Sequence, residues 1–105
     1  MEIKFRAWHS KKKCWHYFSL TQLIIGEASK DCLRYENWNQ YTGKKDRNGV
    51  DVYADDIVQE GMFISVVRWD KEGSRFVYKT PTATVGLWCF YGYVIGNTKE
   101  NADKI

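Results

Sequence analysis

The chain contains short stretches in which hydrophobic and polar positions alternate, and polar turn residues separate these stretches. Residues 2–7 show the two-residue period of a half-buried strand, and residues 14–20 have the aromatic composition typical of a strand. The polar segment between them contains Lys11, Lys12 and Lys13. The pattern therefore predicts a β-hairpin that carries these lysines at its tip.

A second pair of strands is predicted farther along the chain. Residues 62–69 and 75–78 are rich in aromatic and β-branched side chains, and the polar residues 70–73 lie between them. This arrangement is typical of a hairpin turn, in which we expect Gly73 at positive φ.

The central stretch, residues 40–58, combines two chain reversals with two strand segments. Asn48 and Gly49 predict a turn with Gly49 at positive φ, because glycine adopts that conformation without steric cost. Alternating apolar residues follow, and residues 54–56 predict a kink before the apolar pair at residues 57–58.

The remaining segments give weaker patterns. We interpret residues 23–25 as a short strand, and residues 32–35 fit either a strand or a helix. Residues 80–84 predict a surface connection, since proline cannot donate to a strand ladder. Residues 87–91 and 93–95 are predicted as two strands separated by a bulge or bend at Gly92. Residues 97–105 are predicted to form a short helix or tail.

Several short strands joined by tight turns favour a mainly β fold. We predict an N-terminal β-hairpin packed against a small SH3-like curled sheet or barrel, followed by a short C-terminal helix or tail. With 105 residues the chain is expected to form a single domain, residues 1–105, in which residues 1–38 and 39–105 are subdomains.

The motifs of the central stretch resemble those of the YopX family of phage and prophage proteins. The matching elements are Tyr41-Thr42-Gly43, the Lys45-Asp46-Arg47-Asn48-Gly49 turn, and Tyr53 followed by Asp56-Ile57-Val58. Three further segments agree in order, at residues 3–8, 66–70 and 94–97. The resemblance covers nearly the whole chain and is weakest at residues 20–38 and 80–91.

The resemblance implies a mostly β, YopX-like fold, a phage or prophage origin, and oligomerisation, and it implies no established activity. Because Tyr53 and Trp69 belong to matching segments without evident chemistry, we expect both side chains to be largely buried. The family often has glycine at the position of Asp55. Because this chain has Asp55 there instead of glycine, we expect a less demanding backbone conformation at that residue, one that does not require glycine.

Composition narrows the classes of protein further. The formal charge of +3 and a pI near 8.7 are only mildly basic, whereas dedicated nucleic-acid binders often show a clustered excess of basic residues. Cys14, Cys32 and Cys89 are an odd number without a disulfide-framework spacing, which favours the reducing cytoplasm of a host cell. No apolar run approaches the roughly 18 residues of a membrane span, so no membrane association is expected.

Candidate catalytic and metal-binding residues are few. Asp55 and Asp56 are adjacent acids, but neighbours on a strand point to opposite faces, so a turn carboxylate that accepts backbone N–H groups is the favoured interpretation. Cys14 and His16 share a strand face, yet no pairing motif supplies the other ligands of a metal site. Cys89 lies in an apolar run and is expected to be a buried, inert thiol. We therefore predict no enzyme activity, metal or cofactor.

Basic loops suggest one kind of binding. If they shared a face with aromatic residues such as Trp69, they would form a surface for single-stranded nucleic acid. Against this, aspartates interrupt each basic group. The candidate nucleic-acid-binding residues are Lys11, Lys12, Lys13, Lys44, Lys45, Arg47, Arg68 and Arg75.

The leading hypothesis is a non-catalytic interaction module that acts through self-association and through a host or phage protein. Weak nucleic-acid binding by the basic loops is the alternative. Self-association is expected if residues 62–69 or 87–95 lie at an exposed sheet edge, because few charges and no proline protect these strands. A closed barrel without a free edge would instead favour a monomer.

Overall fold

The computed structural model describes residues 2–26 and 38–104 of the chain. Its strands, in chain order, are β1 (Lys4–His9), β2 (Cys14–Ser19), β3 (Trp38–Lys45), β4 (Asp51–Tyr53), β5 (Asp56–Glu60), β6 (Phe63–Val66), β7 (Arg68–Asp70), β8 (Arg75–Lys79), β9 (Thr84–Gly86) and β10 (Tyr93–Asn97). The described residues also contain one short α-helix, α1 (Leu20–Ile24), and 3₁₀ helices at Leu87–Cys89 and Ala102–Lys104. The prediction for residues 32–35 lies outside the described residues.

The described strands form three small antiparallel sheets. The first sheet has the order β2-β1-β3-β4, the second β10-β5-β6, and the third β7-β8-β9. This confirms the mainly β prediction and its curled-sheet form, and among the described residues the sheets do not close into a barrel.

The N-terminal hairpin forms as predicted, with β1 and β2 paired from Lys4 opposite Ser19 to His9 opposite Cys14. Strands β3 and β4 then extend the same sheet, since β3 pairs with the other side of β1. The hairpin therefore packs side by side with the central stretch in one sheet.

The predicted strand at residues 23–25 is wrong, because the chain forms α1 there. Ser19 is the N-cap: its Oγ accepts a hydrogen bond from the Gln22 backbone N–H at 3.1 Å, and the Gln22 side chain accepts one from the Ser19 N–H at 2.9 Å. This capping box satisfies two backbone donors at the start of a helix and outweighs the strand composition that follows.

The long strand predicted at residues 62–69 is two strands that belong to different sheets. Val67 separates them and is fully buried, and its N–H and carbonyl bond to the backbone of Asp56 and Asp55 at 2.9 Å each. The chain thereby passes from the second sheet to the third around one core residue.

The predicted strand at residues 87–91 is also wrong, because a 3₁₀ helix occupies Leu87–Cys89 and the strand β9 precedes it. Leu87 and Phe90 are both buried in the main core, three residues apart. A three-residue spacing suits a 3₁₀ turn, whereas a strand would place these side chains on opposite faces. The terminal segment forms the predicted short helix, Ala102–Lys104.

Two hydrophobic clusters hold the described residues together. The main core takes residues from all three sheets and from the segments that join them, and it contains Val52, Val58, Val67, Tyr78, Leu87 and Phe90. A smaller cluster lies on the first sheet, where Phe5, Leu23 and Trp38 pack on Ala7 and Phe18.

Turn conformations agree with the glycine expectations at one site and not at another. Gly49 has φ +80°, which confirms the predicted turn before β4. In the β7–β8 hairpin the positive φ falls on Ser74 (φ 49°) rather than on Gly73, so the expectation for Gly73 is wrong. At Gly92 the structural need is space, because a Cβ there would lie 2.2 Å from the Gln59 carbonyl oxygen.

No helix within residues 2–26 and 38–104 is long and apolar enough to cross a membrane.

Candidate functional site

A cleft of about 370 Å³ lies between the first and second sheets, and a buried ion pair lies on its wall. Arg6 of β1 and Asp56 of β5 meet there with 2.8 Å between Nη2 and Oδ1. Tyr17 and Tyr53 line the same cleft. Polar groups of both sheets are thus held together where the sheets meet.

Every described contact of Arg6 is structural. Its Nη2 also donates to the Ala54 carbonyl at 3.1 Å, and its Nε donates to Asn39 Oδ1 at 3.2 Å. The guanidinium lies 4.1 Å from the centroid of the Trp15 ring and 4.9 Å from that of Tyr53. These contacts satisfy the buried cation by hydrogen bonds and cation–π attraction.

Burial raises the pKa of Asp56 from its ordinary 3.8 to about 6. The Arg6 guanidinium and the Tyr53 N–H, which donates to Asp56 Oδ2 at 2.7 Å, act in the opposite direction and hold the pKa below what burial alone would give. Asp56 is 2% exposed and its oxygens face these partners, so its carboxylate serves the fold.

The predicted acid pair does not converge on one site. Asp56 points to Arg6, whereas the Asp55 carboxylate pairs with Arg68 and accepts a hydrogen bond from Asn39 Nδ2 at 3.1 Å. The expectation of a turn carboxylate that accepts a backbone N–H is confirmed at Asp56. The expectation of an undemanding backbone at Asp55 is wrong, because its φ is +66°.

The eight basic residues predicted as a nucleic-acid site do not form one cluster of free cations. Lys45 bonds to Asp51 at 2.6 Å and Arg68 pairs with Asp55, so their charges are locally neutralised. Lys11, Lys12 and Lys13 are exposed at the turn between β1 and β2. The other three lie on one surface together with aromatic side chains.

We call this the aromatic–cation surface; its members are Lys44, Arg47, Arg75, Trp88, Tyr91 and Tyr93. The Arg47 guanidinium lies 4.3 Å from the Tyr91 ring centroid and 5.2 Å from that of Tyr93. Lys44 Nζ donates to the Trp88 carbonyl at 3.1 Å. A Cβ on Gly86 would lie 2.6 Å from Trp88 Nε1 and 3.1 Å from Arg75 Nη1, so both side chains lie over Gly86.

The aromatic members of this surface were missed by sequence reasoning. Trp88 is 75% exposed and Tyr91 is 68% exposed, while Leu87 and Phe90 are buried. The signal that would have separated the exposed rings from the core is a three-residue spacing: Leu87 and Phe90 repeat on the buried side, and Trp88 and Tyr91 repeat on the exposed side. Trp69, which we expected to be buried, is 50% exposed and makes a T-shaped contact with Phe76, with ring centroids 4.9 Å apart. Tyr53 is buried as expected.

A second exposed surface lies at the edge of the second sheet. Strand β6 is the outer strand there and pairs with β5 from Ile57 opposite Val66 to Glu60 opposite Phe63. Met62, just before the strand, is 92% exposed, and Phe63 and Ile64 are about half exposed. We call residues 62–66 the β6 edge.

The two described cysteines, Cys14 and Cys89, belong to no cluster of metal-ligating side chains within residues 2–26 and 38–104, and Cys32 lies outside the described residues. Cys14 Sγ lies 3.8 Å from His16 Nε2, which confirms that they share a strand face, and the described residues contain no cluster of three or more metal-ligating side chains. Cys89 is exposed in the 3₁₀ helix, so the expectation that it is buried is wrong.

The fold defines the class of protein: a small β protein of antiparallel sheets with a buried ion pair between two of them. The family described as YopX protein matches residues 4–105, and the chain belongs to that family. No match was found among the curated proteins.

Proposed function

We propose that the protein is a non-catalytic interaction module of phage or prophage origin that acts in the host cytoplasm. It acts through self-association and through a host or phage protein. The observation that carries the proposal is the β6 edge, a strand of exposed apolar side chains at the side of a sheet.

The β6 edge lacks the features that keep edge strands apart. Residues 62–66 contain no charged residue and no proline, and natural proteins commonly protect an exposed edge with one or the other. Met62, Phe63 and Ile64 are exposed apolar side chains at the β5–β6 turn and the start of the strand, with Phe63 and Ile64 on opposite faces of the sheet. A free edge with such side chains favours pairing with another strand.

The opposite edge of the same sheet is already covered. On β10, the Val94 N–H donates to Asp46 Oδ2 at 2.9 Å, and Lys104 Nζ donates to the Ile95 carbonyl at 2.7 Å. Just before the strand, the Gly92 carbonyl accepts from the Arg47 N–H at 3.0 Å. The β3–β4 loop and the C-terminal segment therefore occupy this side. On β6, Ser65 Oγ accepts a hydrogen bond from the Lys79 N–H of β8 at 2.8 Å, but no described strand forms a ladder with the outer side of β6. We therefore infer that β6 is the edge of this sheet at which another strand can pair.

A second copy of the chain is the occupant that fits the β6 edge. A strand can pair antiparallel with its own copy about a two-fold axis, so that Phe63 and Ile64 of each chain cover one another without placing like charges together. Such a contact closes on itself and produces a dimer rather than a filament. Burying these half-exposed side chains supplies the apolar driving force.

The engagement of the acids supports a non-catalytic role. Asp56 is enclosed by Arg6 and the Tyr53 N–H, and Asp55 is bound to Arg68 and Asn39. General acid–base chemistry needs a carboxyl group that can form a hydrogen bond to a substrate, and both Asp56 oxygens are already engaged, Oδ1 by Arg6 and Oδ2 by the Tyr53 N–H.

A charge placed in the β6 edge tests self-association. We expect Ile64→Lys to convert the dimer to a monomer in light scattering, because two lysines would face each other in the two-fold contact. Ile25→Lys is the matched control, since Ile25 is exposed at the end of α1 and its substitution should leave the dimer intact. An Ile64→Lys protein that folds and keeps the dimer mass would refute the β6 contact.

A pull-down of the tagged protein from infected host cells tests the partner. We expect a specific host or phage protein in stoichiometric amount. Recovery of copies of the chain alone would contradict the part of the proposal that concerns a partner.

A further inference from the structure

We propose that the aromatic–cation surface binds single-stranded nucleic acid. This inference does not depend on self-association, because none of its six residues belongs to the β6 edge. It rests on the exposure of the rings, on the unneutralised cations beside them, and on the rigidity of the segment that carries them.

The exposed rings are held on a fixed scaffold. Leu87 and Phe90 anchor the segment in the main core, and the Phe90 N–H donates to the Leu87 carbonyl at 2.9 Å. The Tyr91 N–H donates to Glu60 Oε2 at 2.8 Å. Trp88 and Tyr91 are thus presented to solvent by an ordered backbone, and a ligand that stacks on them meets little ordering cost.

The cations of this surface have no described counterion. Lys44, Arg47 and Arg75 form no ion pair with a carboxylate of the described residues, in contrast to Lys45 and Arg68. The acid within the same loop, Asp46, is buried and accepts hydrogen bonds from the N–H groups of residues 48, 50 and 94. Asp70 lies opposite Arg75 in the β7–β8 ladder, and the Glu60 carboxylate is bonded to the Tyr91 N–H and the Tyr78 hydroxyl. The positive charge of the surface therefore rests mainly on Lys44 and Arg47.

Exposed rings beside free cations complement a single strand. Bases of an unpaired strand stack on aromatic side chains such as Trp88 and Tyr91, while its phosphates attract Lys44, Arg47 and Arg75. A duplex keeps its base faces stacked inside and has none to offer these rings. An apolar protein partner would pack against the rings but would offer no negative charge to the three cations. A polyanion therefore fits this surface better.

Fluorescence anisotropy with labelled oligo(dT) and oligo(rU), and with a DNA duplex as competitor, measures this binding. We expect both single strands to bind and the duplex to compete poorly. Trp88→Ala and Tyr91→Ala should each weaken binding by about 5- to 150-fold, the range found for loss of one stacked base. Arg47→Ala should lower the slope of log K against log salt by about 0.7, the value for one phosphate of a single strand.

Two variants control for general effects. Trp69→Ala removes an exposed tryptophan of β7 that is paired with Phe76 and therefore lies on the opposite face of the third sheet from Arg75. This substitution should leave the affinity for oligonucleotides unchanged. Gly86→Ala keeps every ring but displaces the Trp88 indole and the Arg75 guanidinium, so it should weaken binding. If Trp88→Ala proves unfolded, Gly86→Ala and Arg47→Ala still decide the matter.

Three outcomes would overturn the proposal: no binding of either oligonucleotide at low salt, equal losses with Trp69→Ala and Trp88→Ala, or tighter binding of the duplex than of the single strands. Capture of a protein that depends on Trp88, without oligonucleotide binding, would identify a protein-docking surface and would equally refute it.

Discussion

Arg6 of the first sheet and Asp56 of the second form an ion pair in which both side chains are almost completely removed from solvent. The pair joins the N-terminal hairpin to the β5 strand, across 50 residues of sequence. Stacking of the guanidinium against Trp15 and Tyr53 fixes its orientation. This contact determines how the two sheets meet, and several measurable consequences follow from it.

Removing the cation should be strongly destabilising. We expect Arg6→Met to lower the free energy of unfolding by about 3–5 kcal/mol, because Asp56 would remain buried without its cationic partner. Lys4→Met is the control, since Lys4 pairs with the partly exposed Asp51 and its loss should cost about 1 kcal/mol or less. Urea denaturation of the two variants measures the difference, and equal losses would contradict a structural role for the Arg6–Asp56 pair.

The raised pKa of Asp56 makes stability depend on pH in a defined direction. The unfolded chain releases this proton near pH 3.8 and the folded chain near pH 6. As the pH rises between these values the unfolded state binds fewer protons, so the contribution of Asp56 to the free energy of unfolding falls by up to about 3 kcal/mol.

Asp56→Asn removes this titration, so the stability of the natural protein relative to the variant should decrease from pH 4 to pH 6. Asp51 acts outside that window. Burial acts to raise its pKa, but hydrogen bonds from Lys4 and Lys45 outweigh burial and lower it, so its stabilising contribution is lost only below pH 3.8. A constant difference between the two proteins, measured by thermal unfolding in matched buffers, would contradict the shift at Asp56.

Gly49 and Ser74, which both have positive φ in turns, should respond oppositely to substitution. Gly49→Ala places a Cβ in open space but in the left-handed region, and it should cost about 1–2 kcal/mol. Ser74→Gly relieves the same strain at an exposed residue and should stabilise by up to about 1 kcal/mol. Denaturation midpoints of the two variants should move in opposite directions, and a loss of stability in Ser74→Gly would contradict strain at that turn.

Half-exposure of Trp69 limits its contribution to stability. Trp69→Ala should cost about 1–2 kcal/mol, since the ring makes a T-shaped contact with Phe76 while half of the side chain stays exposed to solvent. Phe90→Ala, at a ring that is 1% exposed in the main core, should cost about 3–5 kcal/mol. Comparable losses would place Trp69 in the core after all.

Local patterns predicted the parts of the fold that local physics determines. Four features were visible in the sequence, because each depends on residues close in the chain: the alternation in β1, the aromatic composition of β2, the Asn48-Gly49 turn and the hairpin turn at residues 70–73. The capping box at Ser19 and Gln22 was equally local and was overlooked in favour of the apolar composition of residues 23–25.

Long-range contacts could not be predicted in the same way. The partner of Arg6 lies 50 residues away, and nothing in the spacing of the sequence indicates that Asp56 rather than Asp55 would face it. The aromatic–cation surface likewise joins a loop after β3 to a segment after β9. Such sites depend on how the sheets pack, and no single stretch of sequence records that packing.

The most direct test of the proposed function is the molar mass of the unmodified protein in solution. We expect multi-angle light scattering at micromolar concentration and moderate salt to give twice the 12.4 kDa chain mass, falling towards the monomer value on dilution. A monomer mass throughout the concentration series would contradict self-association through the β6 edge.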